Sequence, residues 1–195
     1  MSQIRKICVY CGSGPGRDPA FAAAARKLGL AMAKNGIGLV YGGGSVGLMG
    51  ELATTVLDNG GEVTGIIPEF LANREHQIHR GNVIRTRDMH ERKQLMFDHA
   101  DAFVALPGGV GTFEEFFEAV TWTQLGLHRK ACGLLDVDGF YTPLVNFIDH
   151  AVAEGFIKPI HRTAVVIDRD AEALLSKLAT TIVPDVPKWI GARES

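Results

Sequence analysis

The sequence predicts an α/β protein with a single domain, built as a doubly wound (Rossmann-like) parallel sheet with helices on both faces. Short apolar runs typical of buried strands alternate with helical patterns along the whole chain. Strands that alternate with helices are joined by right-handed crossovers, which makes their sheet parallel and covers both of its faces. A chain of 195 residues is too short for two comfortable domains, so one domain over residues 1–195 is expected.

The amino-terminal half is predicted to contain four strands and three helices. Pro68 is expected to break the third strand, and the polar segment 69–81 is expected to form a lid or a side loop. The predicted strands cover residues 4–10, 37–41, 62–67 and 82–86, and the predicted helices cover residues 19–35, 46–58 and 89–99.

The carboxy-terminal half repeats the pattern. An extended tail over 183–189 is expected to pack on the surface or on a partner. The predicted strands cover residues 102–106, 131–135 and 164–167, and the predicted helices cover residues 112–126, 141–154 and 171–180.

Charge, hydropathy and cysteine content exclude several classes of protein. A formal net charge of −2 gives no broad basic field for a nucleic-acid polymer. No run of about 18 apolar residues predicts a membrane span. Three cysteines cannot all pair within the chain, which favours a cytoplasmic location. Strand alternation turns Cys8 and Cys11 to opposite faces, so their C-x-x-C spacing is interpreted as structural, and no metal site is expected.

Three glycine-rich loops follow predicted strands, at 11–16, 42–45 and 107–111. Loops that follow parallel strands emerge at one edge of the sheet, and glycine lets backbone N–H groups approach an anion. The candidate ligands in these loops are therefore Ser13, Gly43, Gly44 and Gly108, and the expected ligand carries phosphate. The alternative is that the glycines only form tight turns. The spacing from Gly42 to Gly47 also matches a dinucleotide fingerprint, although weakly.

Two charged residues are candidates for chemistry. Thr112 and Glu115 form a T-x-x-E capping box, which gives Glu115 a structural interpretation. A carboxylate there would also lie beside a phosphate site, at the border of an apolar stripe formed by Phe113, Phe116, Phe117 and Val120.

On the preceding helix Arg92 and Lys93 share a face with Met89 and Met96. An inward arginine needs an anionic partner, because an unpaired buried charge costs about 3 to 5 kcal/mol; that partner is substrate phosphate, the base or Glu115.

At these residues the chain resembles the nucleoside 5′-monophosphate phosphoribohydrolases of the cytokinin-activating "lonely guy" type, formerly labelled lysine decarboxylases. The P-G-G-x-G-T-x-x-E hallmark of that family lies at 107–115 and its M-x-x-R-K motif at 89–93. The resemblance implies a homodimer that hydrolyses the N-glycosidic bond of an adenosine 5′-monophosphate without a cofactor. It implies these site residues: Arg92 and Glu115 as the catalytic pair, and Glu75, Lys93, Gly109, Val110, Gly111 and Thr112 as nucleotide contacts.

Three other interpretations stay open on the sequence. A lysine decarboxylase would need a Schiff-base lysine for pyridoxal phosphate, and the sequence shows no such constellation. A non-catalytic nucleotide-binding protein would need the loops alone, and Arg92 with Glu115 argues against it. A dinucleotide-dependent oxidoreductase is the weakest of the three.

Overall fold

The computed structural model describes residues 4–72 and 80–185, and in these ranges seven parallel strands form one sheet. The strand order is β4-β3-β2-β1-β5-β6-β7. The strands are Lys6–Tyr10 (β1), Gly38–Tyr41 (β2), Val63–Pro68 (β3), Asn82–Thr86 (β4), Ala102–Ala105 (β5), Cys132–Leu135 (β6) and Val165–Asp168 (β7). The predicted parallel sheet is confirmed, and each strand lies within two residues of its predicted bounds.

Helices cover both faces of this sheet, as predicted. The helices are Pro19–Lys34 (α1), Gly47–Asp58 (α2), Glu69–Ala72 (α3), Met89–Asp98 (α4), Val110–Gln124 (α5), Thr142–Ala153 (α6), Pro159–Arg162 (α7) and Ala171–Thr180 (α8). One core lies under α1, α2 and α8, and the other lies under α4, α5 and α6. A 3-10 turn covers Val137–Gly139. The sequence did not predict this turn, α3 or α7, because a single turn is too short to show a helical period.

Two details of the strands bear on the predictions. Cys8 belongs to the core on one face of the sheet, whereas Cys11 packs against the core on the other, so the predicted alternation of this pair is confirmed. Pro68 does not break β3 but is its last residue, in register with Thr86. Pairing between β2 and β3 ends at Gly65, so beyond that residue β3 has a ladder partner on one side only, where proline is tolerated.

The start of α5 differs from the prediction. Gly109 is its N-cap, so Thr112 lies inside the first turn and Glu115 in the second. The predicted capping box is therefore wrong, because Thr112 is helical and its hydroxyl packs on Gly108. The predicted stripe is also partly wrong: Thr112 and Phe116 are buried, but Phe117 is exposed.

A buried histidine fixes the far end of α5. The Nδ1 atom of His128 accepts the N–H of Lys130 at 3.0 Å, and its Nε2–H donates to the carbonyl oxygen of Ala119 at 2.9 Å. These bonds require the neutral imidazole with its proton on Nε2. Burial lowers the pKa of His128 to about 4, so this anchor of α5 is neutral at physiological pH.

Candidate active site

The predicted glycine loops meet beside β1 and β5, where the strand order of the sheet reverses. Neighbouring strands β1 and β5 continue to helices on opposite faces, and such a switch point opens a crevice at the carboxyl ends of the strands. The N–H of Gly12, after β1, donates to the carbonyl oxygen of Pro107, after β5, at 3.1 Å. A Cβ on Gly47, where α2 begins, would lie 2.2 Å from the carbonyl oxygen of Ser13, so the β2 loop also packs on the β1 loop.

A cavity of about 370 Å³ opens at this crevice. Its lining comes from the end of β1, from the loops that follow β1 and β2, from one residue each of α2, α3 and α4, and from the first two turns of α5. The lining residues are Val9, Tyr10, Cys11, Gly12, Ser13, Gly42, Met49, Leu71, Arg92, Gly109, Val110, Gly111, Thr112 and Glu115.

The amino terminus of α5 presents uncapped backbone amides at this cavity. The first N–H groups of a helix have no acceptor within it, and Gly109 offers no side chain to cap them. A Cβ built on Gly109 or on Gly111 would meet no atom within 4 Å, so a ligand can approach the backbone closely at both positions. Free amides at the positive end of a helix dipole bind phosphate and carboxylate groups.

Arg92 extends from α4 to the ends of two strands and is only 12% exposed. Its Nε donates to the carbonyl oxygen of Ile66 at 3.1 Å, and its Nη2 donates to that of Gly42 at 3.4 Å. A Cβ on Gly42 would lie 2.1 Å from Nη2, so the guanidinium occupies the space that any side chain at this position would need. The arginine is therefore fixed by backbone oxygens on one side and faces the cavity on the other.

Glu115 faces Arg92 across the cavity and is 13% exposed. Its Oε1 lies 3.7 Å from Nη1 of Arg92, which is an ion pair but longer than a hydrogen bond. Burial raises the pKa of the Glu115 carboxyl above its ordinary value, and the charge of Arg92 opposes this rise. Within the described ranges no protein group donates a hydrogen bond to this carboxylate, which leaves it available to a ligand.

Other predicted site residues lie elsewhere. Lys93 pairs with two glutamates on α5 and does not line the cavity. Gly43, Gly44 and Gly108 do not line it either: they pack against Ile67, Met49 and Thr112 respectively and so shape the loops. Glu75 lies outside the described residues.

Some lining residues were not predicted. Gly42 contributes the oxygen that holds Arg92, and Met49 and Leu71 give the cavity an apolar side. Gly42 belongs to the glycine-rich loop predicted at 42–45, but its contact with Arg92 has no signal in the sequence. Leu71 follows β3 on a single helical turn and has no signal in the sequence.

The fold and the cavity define a doubly wound α/β protein that has uncapped helix amides and a buried Arg–Glu pair at its switch point. Solved structures share this fold. The molybdenum cofactor binding protein from Rippkaea orientalis gives a TM-score of 0.66 at 20% identity over 90% of this chain and 96% of that chain. The molybdenum cofactor carrier protein from Chlamydomonas reinhardtii gives 0.66 at 22% identity over 90% and 98%. At this identity the likeness concerns the fold alone.

Sequence similarity identifies the family. Residues 49–178 match the family described as "Possible lysine decarboxylase". The chain is 50% identical to cytokinin riboside 5′-monophosphate phosphoribohydrolase LOG3 of Arabidopsis thaliana over 91% of this chain and 83% of that protein. It is 46% identical to the enzyme of the same name from Rhodococcoides fascians over 89% of each chain. The chain therefore belongs to the family that comprises these phosphoribohydrolases and that the matching family model describes. The resemblance seen in its motifs is confirmed.

Proposed function

We propose that this protein is a phosphoribohydrolase that cleaves the N-glycosidic bond of a cytokinin riboside 5′-monophosphate, an N6-substituted adenosine 5′-monophosphate, into free base and ribose 5-phosphate. The observation that carries the proposal is the buried Arg92–Glu115 pair, which faces a cavity beside the free amides of α5. The names of relatives that are about half identical to this chain support the same reaction.

The 5′-phosphate binds at the amino terminus of α5. Val110, Gly111 and Thr112 line the cavity, and their amides belong to the first turn of α5, at the positive end of the helix dipole. Holding the phosphate there places the ribose one turn along the helix, near Glu115. This positioning makes attack by water effectively intramolecular, which lowers its entropic cost.

Glu115 stabilises the charge that develops on the sugar. As the bond from C1′ to the base nitrogen breaks, its electron pair leaves with the base, and the ribose becomes oxocarbenium-like. Water bonds to C1′, and the proton that the water releases balances the charge on the base. A carboxylate in a site shielded from solvent stabilises this cation strongly and can orient the water. Arg92 pairs with this carboxylate electrostatically, across 3.7 Å, and assists the departing base.

The name "Possible lysine decarboxylase" describes a different reaction, for which the described cavity offers no suitable residue. A Schiff-base decarboxylase needs a lysine in the site. None of the residues that line the cavity is a lysine, and the nearby Lys93 is held by two carboxylates. Release of carbon dioxide from lysine by the purified protein would overturn this conclusion.

The direct test is incubation of the purified protein with N6-isopentenyladenosine 5′-monophosphate, followed by separation of the products. Equimolar free base and ribose 5-phosphate are expected. A panel of other nucleoside monophosphates in the same assay defines the base preference. Nucleotide binding without product would show instead a non-catalytic nucleotide-binding protein.

We also infer a cytoplasmic homodimer. The outer face of α5 and the turn behind it expose large apolar side chains, of which Val110 is 83% exposed at the mouth of the cavity. Leu125 and Leu127 extend this surface, and covering it with a second copy would enclose the site.

The free thiols of the three cysteines suit a reducing compartment. No helix in the described ranges is long and apolar enough to span a membrane. Analytical ultracentrifugation that detects only monomer would refute the dimer.

A further inference from the structure

A lysine joins the two helices that carry the Arg92–Glu115 pair. Lys93 follows Arg92 on α4, and its Nζ lies 2.7 Å from Oε1 of Glu114 and 3.0 Å from Oε1 of Glu118, both on α5. The lysine side chain is 15% exposed, so solvent screens these bonds less than it would at an open surface. Within residues 4–72 and 80–185, these two contacts and the Arg92–Glu115 pair are the ion pairs between α4 and α5.

The two helices depend on different parts of the sheet. The strand contacts of α4 are mainly with β3 and β4, whereas those of α5 are with β1, β5 and β6. Because backbone oxygens of Ile66 and Gly42 already hold the Arg92 guanidinium, its separation from Glu115 depends on how α5 is held against α4. The pair cannot fix this distance itself, because 3.7 Å is longer than a hydrogen bond.

We propose that Lys93 is a positioning residue, which clamps α5 to α4 through Glu114 and Glu118 and thereby sets the distance between Arg92 and Glu115. Glu114 and Glu118 are one helical turn apart and flank Glu115. One ammonium group bound to both of them restrains α5 along its axis and in rotation about it. This role rests on the proposed function and differs from the nucleotide contact that the family motif implies.

The charges around Glu115 allow the clamp to be separated from a simple electrostatic effect. The charge of Lys93 lowers the pKa of Glu115, whereas the charges of Glu114 and Glu118 raise it. Among the residues that the structure describes, the charged and titratable groups that interact with this carboxyl are Arg92 and Lys93 on α4, Glu114 and Glu118 on α5, and Cys8, Tyr10 and Cys11 at β1. Neutralising the lysine and neutralising the two glutamates therefore move this pKa in opposite directions, although both changes break the clamp.

The experiment compares the Lys93→Met variant with the Glu114→Gln/Glu118→Gln double variant by steady-state hydrolysis of the nucleotide. We expect each to lose about 10-fold in kcat at the pH optimum, with KM within about twofold, because the reacting groups are displaced while the phosphate site is intact. The acid limb of the pH profile should move to higher pH in Lys93→Met and to lower pH in the double variant. Lys93→Arg, which can still bind both carboxylates, should recover most of the rate.

Two results would overturn the clamp. A raised KM in Lys93→Met with wild-type kinetics in the double variant would make Lys93 a nucleotide ligand. Losses that multiply when all three substitutions are combined would show independent effects, since one clamp can be broken only once. The double variant keeps the lysine and changes side chains at the rim, so it tests the proposal even if Lys93→Met fails to fold.

Failure of the clamp is distinguishable from failure of the proposed function. If the wild-type protein releases no base, the proposed function is wrong, and the clamp is then tested by crystal structures of the wild type and the double variant. The clamp requires a wider Arg92–Glu115 separation in the variant. An unchanged separation would refute it whatever the reaction is.

Discussion

Replacing Glu115 by glutamine tests the central element of the proposed mechanism. The substitution keeps the shape of the side chain and removes its charge. A carboxylate about 4 Å from a unit positive charge contributes about 4 kcal/mol at an effective dielectric constant of about 20, the value that suits a buried group near a protein surface. Since about 1.36 kcal/mol corresponds to a tenfold change in rate, the loss in kcat should be about 10³-fold.

The assay is quantitation of free base from N6-isopentenyladenosine 5′-monophosphate at saturating substrate. KM should change little, because the proposed phosphate site on α5 is untouched. Glu51→Gln is the matched control, since Glu51 lies outside the cavity and pairs with Arg26 at 2.7 Å on the surface. A Glu115→Gln enzyme within threefold of the wild-type kcat would refute the role of this carboxylate.

Four further outcomes are expected. Gly42→Ala should lower kcat about 100-fold, because it displaces the Arg92 guanidinium. Gly14→Ala is the control and should leave turnover near wild type, because its Cβ would meet no atom within 4 Å. Equal effects of the two substitutions would contradict this role of Gly42. The nucleoside should have a kcat/KM at least about 100-fold below that of its 5′-monophosphate, because charge-assisted hydrogen bonds of about 1.5–3 kcal/mol each are lost. Equal values for the two substrates would exclude the proposed phosphate site on α5. In the wild type, activity should fall with acidification at a pH above the usual range of a glutamate, since the ionised form is needed and burial raises the pKa of Glu115; an acid limb at or below that range would contradict this. The free energy of unfolding should decrease as pH falls from about 6.5 towards 4, because His128 takes up a proton in the unfolded chain but not in the folded protein. His128→Gln should reduce this pH dependence. An unchanged pH dependence in the variant would refute the role of His128.

Much of the fold was predictable because its signals are local. Buried parallel strands read as apolar runs, and the helices between them carry caps and apolar faces, so the sheet and its two covered faces follow from the pattern. The start of α5 was placed two residues late, because a capping box predicts a helix boundary only when the threonine stays outside the helix. Here Thr112 packs on Gly108, a contact between the loop and the helix that spacing does not reveal.

The candidate site was predictable to a lesser degree. Arg92 and Glu115 stand out because an inward charge needs a partner, and their side chains lie 3.7 Å apart. The contacts that hold them were not predictable: Arg92 is fixed by backbone oxygens, which every residue type possesses. The pairing of Lys93 with two glutamates depends on how two helices sit side by side, and neither helix shows this from its own sequence.

The space taken by Arg92 beside Gly42 links two positions that lie fifty residues apart in the chain. A protein of this family that carries any side chain at the position of Gly42 has no room for the arginine in its present place. We expect such a protein to turn over about 100-fold or more slowly even if its glutamate and its glycine loops are intact. The identity of one small residue at the end of a strand thus indicates, by inspection, which relatives have room for the arginine in this place.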